Sequence, residues 1–259
     1  MFRRRVLAVK RLTRAKRKVG LIGCGAIGSL IAEAAEKKLV PCDELVLYDF
    51  ECEKAQRLSE RLSFPSVFVP SFEDLLAAKP TVVVEAASQQ AAMELVPRIV
   101  KRDIDVIVMS TGALLLLPPL GKRVHVPSGA IGGLDALSGA VLAGIDEVVL
   151  TSRKNPRAFE REDKKAELVY EGRSEEAAVR FPREMNVAAT LAFTVRPAKV
   201  MVRVFSDPAV ERNTHEISVK WRFGEMFLRF ANDPHPDNPR TSALAAWSAI
   251  RLLGSLLEK

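Results

Sequence analysis

Past residue 18 the apolar positions follow two rhythms. Residues 19–22, Glu44–Tyr48, 81–86 and 104–109 are short and almost unbroken runs of Val, Leu and Ile, the pattern of strands buried on both faces. Between them, 26–38, 52–62 and 89–101 carry small and apolar residues at helical spacing, with Ser88 placed to cap the third. Strands of this kind alternating with amphipathic helices predict an α/β fold, a doubly wound parallel sheet covered on both sides.

From residue 128 the rhythm changes. The spacing predicts a helix over Leu134–Ala143, a strand over 147–151, a Ser-capped helix over 174–181, a small-residue helix over 186–193 and a strand over 199–205. A hairpin with strands 214–222 and 225–230 follows, turning at Phe223-Gly224, and its strict alternation marks a sheet with one covered face. This half is therefore expected to be an α+β open-sheet domain. Residues 233–239, with three prolines, read as a linker into a C-terminal helix over 242–257. Its Leu244, Trp247, Ile250, Leu253 and Leu257 recur at helical spacing, and the first domain is the expected surface for them.

Composition narrows the class. A chain of 259 residues with 48% hydrophobic and 27% charged residues is globular and not disordered. No apolar run approaches the roughly 18 residues of a membrane span, and the longest, 113–117, stops at Pro118 and Pro119. The formal +7 suggests a polyanionic partner. Nine of the basic residues, however, lie in residues 1–18 with no acid among them, which leaves 30 basic against 32 acidic residues in the rest. The body is thus expected not to bind nucleic acid, and the basic segment reads as an over-extended start or a disordered leader. It lacks the apolar stretch of a secretory signal, so a cytoplasmic location is expected. Cys24, Cys42 and Cys52 form neither a paired framework nor a metal spacing, and no role and no metal are assigned to them.

The strongest chemical signal is Gly23-Cys24-Gly25-Ala26-Ile27-Gly28, set between a strand and a helix, with Asp49 ending the second strand 21 positions past Gly28. In that context Gly23 makes a tight turn, Gly25 lets a diphosphate approach the backbone, and Gly28 lets helix pack on strand. Ala26 and Ile27 open the helix whose N-terminus meets the diphosphate. The context favours a nicotinamide or flavin dinucleotide over a purely structural turn, with a methyl-donor cofactor as a minor alternative. Asp49 is placed for the adenosine ribose hydroxyls, which favours NAD, while nearby Lys54 and Arg57 keep NADP as the alternative.

Three histidines make the search for an acid/base group short. His125, in the stretch 123–126 that reads as a strand, and His235, between prolines, read as structural or solvated. His215 shares phase with Ile217, Val219, Trp221 and Phe223, so it faces the covered side as either a satisfied core residue or a cleft residue. Asn186 is an N-cap or a ligand for an amide. Thr241 and Ser242 cap the last helix or help receive a carboxylate. The glycine-rich segment 128–133 is a hinge, a cofactor loop, or both.

Taken together, VGLIGCGAIG (19–28), VEAASQQA (84–91), STGA (110–113), SGAIGGLDA (128–136), EVVLTSRKNP (147–156), NVAATL (186–191), NTHEI (213–217), FGEM (223–226) and NPRTSALAA (238–246) resemble the archaeal and bacterial L-aspartate dehydrogenase family of NAD biosynthesis. The resemblance runs in the family's order over nearly everything after the basic segment. It implies a Rossmann dinucleotide-binding domain formed by 19–127 with 241–259, and a catalytic and dimerisation domain at 128–240, following the tail at 1–18. It makes His215 the catalytic residue, Ala130 and Asn186 dinucleotide ligands, and L-aspartate the substrate, with Arg240, Thr241 and Ser242 as receivers of its carboxylates. It further implies a homodimer and a product, iminoaspartate, handed to quinolinate synthase. Two departures stand out: the basic segment itself, and the short stretch between Ser110 and Ser128, where the family's helical crossover is expected to be shortened or lost. Other readings are a two-domain reductase resembling dihydrodipicolinate reductase, and a dinucleotide-sensing or nucleic-acid-binding protein that works through the basic segment.

Overall fold

The computed structural model describes residues 16–181, 185–235 and 238–258, with the backbone alone at 235 and 238–241. Most of the basic segment, residues 1–15, lies outside the described residues. The first half runs β1 (Lys18–Ile22), α1 (Ala26–Glu36), β2 (Glu44–Tyr48), α2 (Cys52–Arg61), β3 (Ser66–Phe68), α3 (Phe72–Ala77), β4 (Val82–Glu85), α4 (Gln89–Val100), β5 (Asp105–Val108), α5 (Ala113–Leu116) and β6 (Val124–His125). Its six strands are all parallel, in the order β3-β2-β1-β4-β5-β6. This is the doubly wound sheet that the apolar runs predict, with Ser88 capping α4 by accepting from the Ala91 N–H at 3.1 Å. The crossover after β5 has shrunk to the single turn of α5 before the two-residue strand β6. Of the basic segment, Lys18 opens β1, and just before it Arg17 donates its backbone N–H to the Asp43 carboxylate at 2.8 Å.

The second half runs α6 (Leu134–Ala143), β7 (Ile145–Lys154), a 3₁₀ turn (Pro156–Phe159), β8 (Glu167–Arg173), α7 (Ser174–Arg180), α8 (Asn186–Thr194), β9 (Val200–Ser206), β10 (Asn213–Trp221), β11 (Gly224–Asn232), β12 (Pro234–His235), β13 (Asn238–Ser242) and α9 (Ala243–Leu257). Five strands form a mixed sheet in the order β11-β10-β7-β9-β8. One face carries Leu150, Val202 and Ile217 against Leu137 of α6 and Leu191 of α8. Among the described residues the opposite face shows Phe227, Met201 and Lys220 to solvent.

Several local expectations change. The hairpin closes at Arg222-Phe223, because Trp221 already pairs with Gly224. Ser174 is the first helical residue of α7 and not its cap; its hydroxyl donates to the Glu175 carboxylate at 3.0 Å. The predicted linker over 233–239 is largely a two-stranded ribbon, β12 against β13. Helix α9 does return to the first half, where Ala249, Ile250, Leu253 and Leu257 join Ile31 and Ala35 of α1 in one core. Leu244 and Trp247, expected on that face, stay 38% and 47% exposed. Ala249 takes the contact instead, with Ala245 packed against the same core, and small side chains let helices approach closely. Among the described residues no helix is long and apolar enough to cross a membrane.

Candidate active site

The glycine turn between β1 and α1 has three different steric requirements. Gly23 has φ +93°, and a Cβ there would lie 2.6 Å from the Ala86 carbonyl oxygen. A Cβ on Gly28 would lie 2.0 Å from the Gly23 carbonyl oxygen, so the helix sits directly on the turn. A Cβ on Gly25 meets nothing within 4 Å, which leaves its surface open to a ligand. Gly25 is the N-cap of α1 and supplies no side-chain acceptor, so the N–H groups of Ala26, Ile27 and Gly28 end in the positive pole of an 11-residue helix. Asp49 braces the turn: its carboxylate accepts from the Cys24 N–H at 2.7 Å and from the Glu51 N–H at 2.9 Å. Burial, then the Asp49 charge, push the Cys24 thiol up to about 12, so it stays protonated and inert. Beside it a groove is lined by Ser29, Lys54, Arg57 and Arg61.

On the other side of the turn lies a cavity shared by both halves. Ile27 lines it from α1, Ala130 from the glycine-rich segment, Asn186 and Thr190 from α8, His215 from β10 and Ser242 from the start of α9. His215 is 2% exposed. It stands directly across from Ser152 on β7, and its Nδ1 lies 2.8 Å from the Ser152 Oγ. Burial first, then the charge of Lys154, push the imidazole down to about 3, which keeps it neutral.

Polar contacts hold the cavity walls together across the two halves. The Gly112 N–H donates to the Asn186 Oδ1 at 3.3 Å, and the Thr111 and Thr190 hydroxyls meet at 3.1 Å. The Gly129 N–H donates to the Ser248 hydroxyl at 3.0 Å, and within the second half the Asn232 amide donates to the Ala130 carbonyl at 2.9 Å. Behind the 110–112 segment Glu85 is fully buried, and burial holds its carboxyl above the usual range although Ala87 N–H, Ser110 N–H and Ser110 Oγ all donate to it.

The cavity thus brings together Ile27, Ala130, Asn186, His215 and Ser242, whereas Gly23, Gly25, Ala26 and Gly28 belong to the turn that carries Ile27 and do not themselves line it. Asp49 sits on the far side of that turn and does not line the cavity. Arg240 and Thr241 are in β13, and their side chains lie outside the described residues. The N-cap of α8 is Met185, so Asn186 is not its cap, and Ser242 occupies the α9 cap without a capping bond from its hydroxyl. His125 is structural, bonded to Asp105 at 2.8 Å; the His235 side chain lies outside the described residues. Three residues of the site, Ser152, Lys154 and Glu85, lie within the stretches 147–156 and 84–91, where no role is assigned to them from sequence. Ser152 and Lys154 share the inward phase of β7 with Val148 and Leu150, so a Ser and a Lys in a buried register were the available signal.

The turn fits a dinucleotide diphosphate on its own geometry, since its one glycine that faces open space, Gly25, lies at the N-terminus of α1, whose first turn carries no acidic residue. A Rossmann sheet carrying such a turn, joined to an open-sheet domain that shares a polar cavity with it, defines a two-domain NAD-dependent dehydrogenase. Comparison with known proteins gives the family. Residues 23–124 match the profile described as homoserine dehydrogenase, NAD binding domain, and residues 135–256 the profile described as aspartate dehydrogenase, C-terminal. L-aspartate dehydrogenase from Methanothermobacter thermautotrophicus is 40% identical over 93% of this chain and 96% of its own length. That from Archaeoglobus fulgidus is 41% identical over 93% and 98%. The solved aspartate dehydrogenase of Thermotoga maritima superposes with a TM-score of 0.72 at 29% identity, covering 93% of this chain and 96% of that one. The chain belongs to the L-aspartate dehydrogenase family.

Proposed function

We propose that the protein oxidises L-aspartate to iminoaspartate with NAD, NADP serving as the alternative acceptor, and that iminoaspartate then hydrolyses to oxaloacetate and ammonia. The observation that carries this reading is the buried, Ser152-backed His215 in the same cavity as Ile27 of the dinucleotide turn. Gly23, Gly25, Ala26, Ile27 and Gly28 would hold the diphosphate, Asp49 the adenosine ribose, and Ala130 with Asn186 the nicotinamide end. When bound, the dinucleotide supplies a hydride acceptor for the substrate Cα.

The chain's own work is proton handling and orientation. The substrate nitrogen can form the imine only after its ammonium loses a proton, and a neutral imidazole can take that proton. In the tautomer this requires, His215 donates Nδ1–H to the Ser152 oxygen and keeps the Nε2 lone pair for the substrate. The same nitrogen can then orient the water that attacks the imine. Ser242, Thr241, Arg240 and the N-terminus of α9 serve the carboxylates.

We further read the protein as a cytoplasmic homodimer that supplies iminoaspartate to quinolinate synthase for NAD biosynthesis. The dimer reading is supported by the open sheet face, where Phe227, Ser218, Val149 and Met201 align in one row across four strands. Light scattering of the purified protein measures it. The activity is tested by amino-acid-dependent reduction of NAD. L-aspartate is expected to support turnover that His215→Ala loses, and absence of aspartate turnover overturns the reading.

A further inference from the structure

The second sheet ends in a concentration of buried polar side chains. Ser152, Lys154, Asn213, Thr214 and His215 are each no more than 6% exposed, at the ends of β7 and β10. Lys154 is two positions from Ser152 in β7, so both project to the same inner face, and it lines the cavity together with His215, Asn186 and Ser242. Its neighbour in sequence, Arg153, is turned to the outer face, where it pairs with Asp207 at 3.3 Å and stacks over Phe205. Among the described residues Lys154 is the one charged side chain in the cavity wall. A buried ammonium costs several kcal/mol of desolvation, and a fold that places one inside a ligand cavity gains an anchor for an anion.

We propose that Lys154 is the cation that receives a carboxylate of the amino-acid substrate and sets the local charge in which His215 works. This rests on the functional reading above, because L-aspartate with a deprotonated amine carries two negative charges into a cavity whose other described walls are neutral. The pairing has a second consequence. Lys154 is the only charge among the described residues found to depress the imidazole. A carboxylate brought against it offsets that field and raises the basicity of His215 when a proton has to be taken. Substrate binding and activation of the base are then one event.

The test compares wild type with Lys154→Met, which keeps the stem and removes the charge, and with Lys154→Gln as a polar control. Wild-type turnover of L-aspartate checks the underlying reading on its own, and NAD binding by fluorescence titration checks that each variant is folded. The expected result is a rise of at least tenfold in KM for L-aspartate in both variants, with NAD affinity within about twofold of wild type. The acidic limb of the kcat profile should move to higher pH in Lys154→Met, since removing the positive charge makes the imidazole easier to protonate. L-asparagine turnover locates the contact within the proposal: an unchanged KM assigns the distal carboxylate, and a parallel rise assigns the one on Cα. An unchanged KM for L-aspartate in folded Lys154→Met, with wild type active, overturns the role of Lys154 and leaves the functional reading intact. Loss of NAD binding in both variants with soluble, cooperatively unfolding protein overturns it too, since the residue would then serve the dinucleotide site.

Discussion

In the first sheet β4 is buried at all four of its positions, whereas in the second β10 alternates buried and half-buried residues from His215 to Val219, β11 alternates half-buried and exposed ones, and one face is left open. A strand covered on both sides has little but its carboxyl end to offer a ligand, and there the first half relies on backbone: a positive φ at Gly23, an open approach at Gly25 and the N–H groups of α1. A sheet with one covered face can turn chosen side chains into a cavity, and the second half does so with Ser152, Lys154 and His215. Backbone chemistry should therefore fail when a Cβ is added, and side-chain chemistry when a charge or a proton is changed.

The largest effect is expected from His215→Ala. Its kcat with L-aspartate should fall by about 10²–10⁴-fold, the usual contribution of a positioned base, while NAD affinity stays within about twofold. Equal loss of NAD binding would erase the division of labour between the halves. Next comes Gly28→Ala. Its methyl group would lie 2.0 Å from a carbonyl oxygen, and overpacking of this kind costs about 1–3 kcal/mol or more, read as a lower urea midpoint together with weaker NAD binding. Glu85→Gln is isosteric, but its amide NH₂ would confront the Ser110 N–H. Leaving that buried donor unmatched should cost about 1–3 kcal/mol, again seen in the urea midpoint.

Acidification probes the second half through linkage. The ordinary imidazole value of 6.5 falls to about 3 in the folded chain, so below pH 6.5 the unfolded state takes up a proton that the native state refuses. Stability should fall as pH drops from 6.5 toward about 3, by roughly 2 kcal/mol between pH 7 and pH 5. His215→Gln should lack this component in urea titrations at the two pH values. Glu85 acts in the opposite sense, since its raised carboxyl favours the native state at low pH and loses that contribution as pH rises through its folded value. The smallest effect is expected from Gly25→Ala. Nothing lies within 4 Å of the added methyl, so the urea midpoint should hold while NAD binding weakens by about tenfold, or 1.4 kcal/mol.

The same contrast governs what could be read from the residues. Parallel strands buried on both faces appear in sequence as continuous apolar runs, and the glycine turn is a local pattern; both were legible. β3 and α3 were not, because Ser66–Phe68 is a largely exposed edge strand of three residues and α3 has only six. In the second half phase alone put His215 on the covered side but left its role open, and the family resemblance singled it out. Ser152 and Lys154 were overlooked because their meaning depends on register: Ser152 matters by standing opposite a residue 63 positions later in the chain. Trp247 and Leu244 were assigned to a buried face that alanines occupy instead, since helical spacing reports a stripe but not how closely two helices approach.

The most direct test is steady-state NADH formation by the purified protein with L-aspartate set against L-asparagine, L-glutamate and L-homoserine, for wild type and His215→Ala side by side. The account predicts turnover with L-aspartate in preference to the other three, and its collapse in a variant that still binds NAD. Preference for another of these amino acids, or aspartate turnover retained by His215→Ala, would contradict it.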